Sequence, residues 1–183
     1  MKNKIKRSSF FIFLTIFLSL SMQVNATEHK LATTIYSQQT NDIETIFKNS
    51  LFPFESIIYS ITPQGLIISI DSNLFFSESQ IELLNTGKIF LNKIANALNQ
   101  IPNNLVIEVN SDKANCSNEM QNWELTTIQA GQIAKYLIIQ EKISPNRVQA
   151  IGFGEISPNL PKEITFPNRI DFIILNYEII PQN

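Results

Sequence analysis

The sequence predicts an α/β fold: a mixed sheet of four to five strands with two helices on one face, in the order β-β-α-β-α-β-β. Three observations predict it. Two β-rich runs, Ile57–Ile61 and Leu66–Ile70, flank Thr62-Pro63-Gln64-Gly65, a tight-turn signature with Pro at the second position and Gly at the fourth. Apolar residues downstream then recur at steps of three and four, the spacing of a helix that buries one side. Helical and strand patterns alternate to the end of the chain, which requires crossover connections and hence some parallel pairing.

The chain has 183 residues, room for one sizeable core. Lys2, Lys4, Lys6 and Arg7 precede an uncharged apolar run from Ser8 to Met22, and Val24-Asn25-Ala26 follows with small residues where a signal peptidase reads. This order predicts a secretory signal over residues 1–26, cleaved after Ala26. An uncleaved anchor fits less well, because 15 helical residues span only about 22 Å against a hydrocarbon core of roughly 30 Å. The expected location is therefore the bacterial periplasm. Taking the four basic residues of the signal from the 14 in the chain leaves 10 against 16 acidic ones, net −6. Such a balance argues against nucleic acid as a partner. The lone Cys116 permits no internal disulfide, so the fold must stand on its core.

Each element has a local reason. Residues 27–55 are polar with short apolar clusters and read as a linker with a possible short helix through Ile43, Ile46 and Phe47. The domain proper is expected over 56–183, beginning with the hairpin. Leu83, Gly87, Phe90, Leu91, Ile94 and Leu98 form the stripe of a first helix that Pro102 ends. Leu105–Ser111 is apolar enough for a covered strand. A second helix is expected to open near Asn122, read as its cap, and to bury Leu125, Ala130, Ile133, Ala134 and Leu137 before Ser144-Pro145. Val148–Gly152 and Ile170–Tyr177 supply the last two strands. Gly152 and Gly154 are read as positive-φ positions that shape a turn.

Several of these pieces, in this order, resemble the OmpA-like, MotB-like domain over about residues 57–177. They are Gly65–Ile70 with Leu74-Phe75, Asn122-Trp123-Glu124-Leu125-Thr126, Gly152-Phe153-Gly154-Glu155 with Pro158, and Asn168-Arg169-Ile170-Asp171-Phe172. The Asn-Trp-Glu-Leu string is similar to the flagellar-stator branch. The resemblance implies non-covalent binding of peptidoglycan through the diaminopimelate of its stem peptide. Ser111-Asp112 falls on the family's Thr-Asp pair, which makes Asp112 the implied stem-binding carboxylate. The family's Leu-Ser-x-x-Arg-Ala reads here Leu125-Thr126-Thr127-Ile128-Gln129-Ala130, so Gln129 replaces the helix arginine. Arg169 falls on the family's late arginine.

The implied site is therefore Asp112, Asn122, Leu125, Gln129 and Arg169. Diaminopimelate carries an ammonium and a carboxylate on one carbon; Asp112 would accept from the first, while Gln129 offers the second a neutral donor in place of a charged fork. That exchange predicts a loss of about 1–2 kcal/mol of binding. The rival reading is an OmpA-like protein-interaction module of an envelope assembly that no longer binds peptidoglycan, with residues 27–55 available to envelope protein partners. Plainer roles are also open: Trp123 as a packing residue and Arg169 as the partner of a nearby carboxylate. An enzyme is not expected, since His29 is the only histidine and no nucleophile has a base. No cofactor motif and no metal-ligand cluster is read from the sequence.

Overall fold

The computed structural model describes residues 38–77, 80–111, 119–154, 166 and 168–176, with backbone only at 119 and 120. The expected signal at 1–26, His29, Asp112, Cys116, Glu155 and Pro158 lie outside the described residues. Contacts divide the chain after Gln39, and the fold set out here is that of the second unit, Thr40–Asn183.

Five strands form one sheet: β1 (Ile58–Thr62), β2 (Gly65–Asp71), β3 (Leu105–Asn110), β4 (Val148–Gly154) and β5 (Arg169–Leu175), in the spatial order β1-β2-β5-β3-β4. The last strand in sequence is the central one. It pairs antiparallel with both β2 and β3, and only β3 and β4 run parallel. The crossover between β3 and β4 is the long helix α3 (Glu119–Ile139), and α2 (Asn85–Leu98) joins β2 to β3.

Period-2 alternation sends Leu66, Ile68 and Ile70 of β2, Leu105, Ile107 and Val109 of β3, and Ile170, Phe172 and Ile174 of β5 to one face. There they meet Phe90, Leu91, Ile94 and Leu98 of α2 and Ala130, Ile133 and Leu137 of α3 in a single core. Burial of such side chains supplies about 1.5–3 kcal/mol each. Residues 40–51 form the short helix that was expected as possible, α1, but it is no part of a linker: its Ile43, Phe47 and Leu51 are buried in the same core. Three helices therefore cover the core, not two, and the core reaches upstream of residue 56. The i, i+4, i+8 spacing of those three residues was visible in the sequence, but the polar residues between them made the segment read as solvated.

One of the two glycines read as turn positions acts differently from the expectation. Gly154 has φ 60°, as expected, but Gly152 is required by proximity. A Cβ there would lie 2.2 Å from the amide nitrogen of Thr127, so its absence lets α3 press on β4. Gly65 closes the hairpin at φ 146°, and a Cβ there would sit 2.0 Å from the Ile174 carbonyl oxygen.

The opposite sheet face carries charge. Glu108 of β3 faces Asp171 of β5, and Arg169 lies two residues along. Glu108 is 7% exposed, yet nearest to it across the sheet is another carboxylate. Burial, and then the Asp171 charge, push the Glu108 carboxyl above its ordinary value of 4.5, with Arg169 pulling it partly back. A carboxyl raised in the folded state holds its proton there more tightly than in the unfolded chain. Its contribution to stability is thus complete below about 4.5 and is lost as pH rises through the folded value. Glu108→Gln is expected to be more stable than the wild type near neutral pH, with the difference closing as pH falls towards 4.5. Urea melts at the two pH values check this; a glutamine variant that is less stable at neutral pH would mean Glu108 is held by favourable contacts instead.

Candidate functional site

The C-terminal ends of the parallel pair β3 and β4 meet the first turns of α3, and buried polar side chains gather there. Asn122, Thr126 and Gln129 of α3 are 1%, 0% and 6% exposed, and Ser111, just past β3, is 7% exposed. Polar groups at this depth need hydrogen bonds to offset desolvation. The Asn122 amide donates to the Ser111 carbonyl at 3.3 Å. The Ser111 backbone N–H donates to the Gly154 carbonyl at 2.7 Å, and the Ser111 hydroxyl donates to Asn168 Oδ1 at 3.1 Å. The Gly154 N–H donates to Thr126 Oγ1 at 3.0 Å, and that hydroxyl donates to the Trp123 carbonyl at 3.0 Å.

These bonds knit β3, β4, α3 and the start of β5 around one point. A register shift between Val109 and Asn110 brings Asn110 opposite Gly154, which lets β4 run two residues further than the sequence suggested. Asn122 corrects its expected role as a cap: α3 begins at Glu119, so Asn122 lies inside the first turn and turns inward to β3. Its inward face also displaces the expected apolar stripe. Leu125 and Ala134 are only half-buried, while Asn122, Thr126 and Gln129 occupy the buried side of the opening turns.

Of the five implied site residues, Asn122, Leu125 and Gln129 lie on α3, and Asn122 bonds the Ser111 carbonyl. Asp112, the next residue after Ser111, is outside the described residues. Gln129 is not turned to an open pocket: its amide donates to the Gln80 carbonyl at 2.8 Å. Arg169 follows Asn168 at the same end of the sheet but is turned to the other face. It shares a sheet face with Asp171, away from the helices, and its Nε donates to Asp171 Oδ2 at 2.8 Å. Arg169 therefore meets a neighbouring carboxylate on a face that Gln129 does not share. Trp123, read as a packing residue, is 51% exposed.

The sequence reading missed Thr126 and Gln80. Thr126 gave a signal in its place beside Thr127 at a helix start, where hydroxyls bond backbone groups. Gln80 gave none, since it contributes only its carbonyl.

The OmpA family model matches residues 75–163. A curated relative, the uncharacterized protein YtxE of Bacillus subtilis (strain 168), is 27% identical over 97 residues, covering 52% of this chain. The chain spans 40% of that relative's length. A MotB-like protein of Desulfovibrio vulgaris superposes with a TM-score of 0.64 at 20% identity, over 79% of this chain and 96% of that one. The cell wall anchor of the type VI secretion system of Pseudomonas aeruginosa gives 0.59 at 15% identity, over 72% and 95%. The periplasmic domain of Helicobacter pylori MotB gives 0.57 at 20% identity, over 67% and 83%. Identities this low speak for the fold alone. The family model thus covers residues 75–163, just under half of the chain, and the described residues share the fold of these structures.

Proposed function

We propose that this protein is a non-covalent binding module for peptidoglycan in the bacterial periplasm, recognising the diaminopimelate-bearing stem peptide. The observation that carries the reading is the bracing of Ser111 by Asn122, Gly154 and Asn168. Four elements fix the backbone immediately before Asp112, as a site that must present one carboxylate requires. The family match supports it, as do a cell wall anchor and periplasmic MotB domains among the structural neighbours. Asp112 would accept from the diaminopimelate ammonium, and the positive end of the α3 dipole would favour the adjacent carboxylate.

One observation favours the rival interaction module: Gln129, where the family places its arginine, is committed to Gln80. Co-sedimentation of the chain from Thr27 with purified sacculi separates the readings. Asp112→Ala is expected to weaken retention about tenfold or more, the equivalent of losing one charged hydrogen bond, with the melting temperature unchanged. Trp123, the chain's single tryptophan, stands half-exposed beside Asn122, so its fluorescence should report the same binding in solution. Sacculi that retain neither wild type nor variant would leave the interaction module as the better reading.

A further inference from the structure

Trp123 has no place in the core. It is 51% exposed on the first turns of α3, and no aromatic pair among the described residues includes it. It directly follows Asn122, whose amide braces Ser111 in the candidate site. We propose that the Trp123 indole is a platform for a sugar ring of the glycan strand, so that the module grips the junction of glycan and stem. The inference rests on the peptidoglycan reading and adds to it a second chemical class of contact.

The platform is held still. The Trp123 carbonyl accepts from Thr126 Oγ1 at 3.0 Å and from Thr127 Oγ1 at 2.9 Å. Thr126 Oγ1 in turn accepts from the Gly154 N–H at 3.0 Å, which ties this turn of α3 to the end of β4. A Cβ on Gly154 would lie only 3.4 Å from the Trp123 Cα, so helix and strand meet directly beneath the indole. A large ring on a fixed backbone offers contact area with little freedom left to lose on binding.

The surroundings select a neutral, hydroxyl-rich occupant. Thr127 and Gly131 follow Trp123 at steps of four and are exposed like it, so the three form one outward strip. The charged residues among the described side chains of α3 are Glu124 and Lys135, of opposite sign, and neither an anion nor a cation is favoured there. A pyranose presents an apolar C–H face to an indole and a rim of hydroxyls to its neighbours. Thr127 Oγ1, whose proton goes to the Trp123 carbonyl, keeps lone pairs for such a hydroxyl, and the exposed Glu124 carboxylate accepts from another. Glycine weakens a helix interior, yet a Cβ on Gly131 would meet nothing within 4 Å, so packing within the chain gives no reason for it. Its smallness leaves the surface beyond Thr127 level. The spacing also fits. Two stem residues separate diaminopimelate from the sugar and extend about 7 Å. Asn122 touches Ser111, and Trp123 is one Cα step of about 3.8 Å further on, with its indole reaching beyond.

The test is calorimetric titration with a soluble disaccharide–tripeptide bearing diaminopimelate and with the free tripeptide. The wild type is expected to bind the first about tenfold more tightly than the second. Trp123→Ala should abolish that difference and bind both ligands as the wild type binds the free tripeptide, whereas Trp123→Phe, which keeps a ring face, should retain most of it. The position is exposed, so circular dichroism should show both variants folded. In the wild type the disaccharide–tripeptide should shield the chain's single tryptophan from acrylamide, and the free tripeptide should leave it open. Wild-type affinity for both ligands in Trp123→Ala, or equal weakening of both, would overturn the sugar platform. Either result alongside weaker binding of both ligands by Asp112→Ala would leave the peptidoglycan reading in place. No binding of either ligand or of sacculi by the wild type would overturn both.

Discussion

Arg169→Ala is expected to lower the unfolding free energy by about 3–5 kcal/mol, because it strands a buried carboxylate. The Asp171 side chain is 1% exposed and that of Arg169 9%. Without the guanidinium, Asp171 Oδ2 keeps only the Asn110 amide at 3.3 Å. Oδ1 already has no hydrogen-bond partner among the described residues. Glu108 stands directly across on β3 and Ser69 across on β2, so no cation remains among the cross-strand neighbours of Asp171. Two facing carboxylates would then repel through a medium that screens them poorly. Removing both partners is a different experiment. Arg169→Met with Asp171→Val should recover most of the loss, since neither a charge nor an unmet acceptor is left on β5. Equal destabilisation in the single and double variants would show that Arg169 acts through the volume it fills. If the recovered double variant retains sacculi like the wild type, Arg169 has no part in binding.

The Arg169 case marks where the sequence could be read and where it could not. The hairpin, the Phe90 stripe and the alternation of β5 follow from spacing alone, because apolar burial leaves a period that one chain displays. From β1 onward the expected order of strands and helices therefore matches the structure. Position 169 could be aligned with a family arginine, and its partner Asp171 lies two residues on in the same strand; what one strand cannot show is Glu108 opposite, because register is a property of two strands. The same limit hid α3's true inner face. Asn122, Thr126 and Gln129 are buried because hydrogen bonds to Ser111, Gly154 and Gln80 satisfy them, and a count of apolar residues skips over them. Gly152 looked like a turn glycine because its reason, the backbone of Thr127 2.2 Å from a Cβ position, lies 25 residues earlier in the chain. The site's scaffold was thus legible as motifs, and its wiring required the fold.

Phe90→Ala should be comparably costly, about 3–5 kcal/mol, for an apolar reason. Phe90 is fully buried on α2 and joins four segments through its ring. It meets Phe54 at 5.1 Å and Phe75 at 5.4 Å, both edge-on at 78°, and Phe172 of β5 at 5.8 Å. Edge-to-face pairs of this kind add about 0.5–1.5 kcal/mol each to simple burial. The void left by alanine cannot collapse easily. Phe172 is fixed by hydrogen-bonded neighbours on both sides, and Phe75 is already so close to α2 that its Cα lies 2.8 Å from where Gly87 would carry a Cβ. A persistent cavity puts the cost towards the upper end of that range. Phe90→Leu keeps most of the volume but loses the ring edges, so its cost should be well under half as large. Urea denaturation should show a lower midpoint for both variants with an unchanged slope, the mark of reduced stability without a change in the surface exposed. Should leucine prove as damaging as alanine, the aromatic contacts and not the filled volume would be what holds α2 to the sheet.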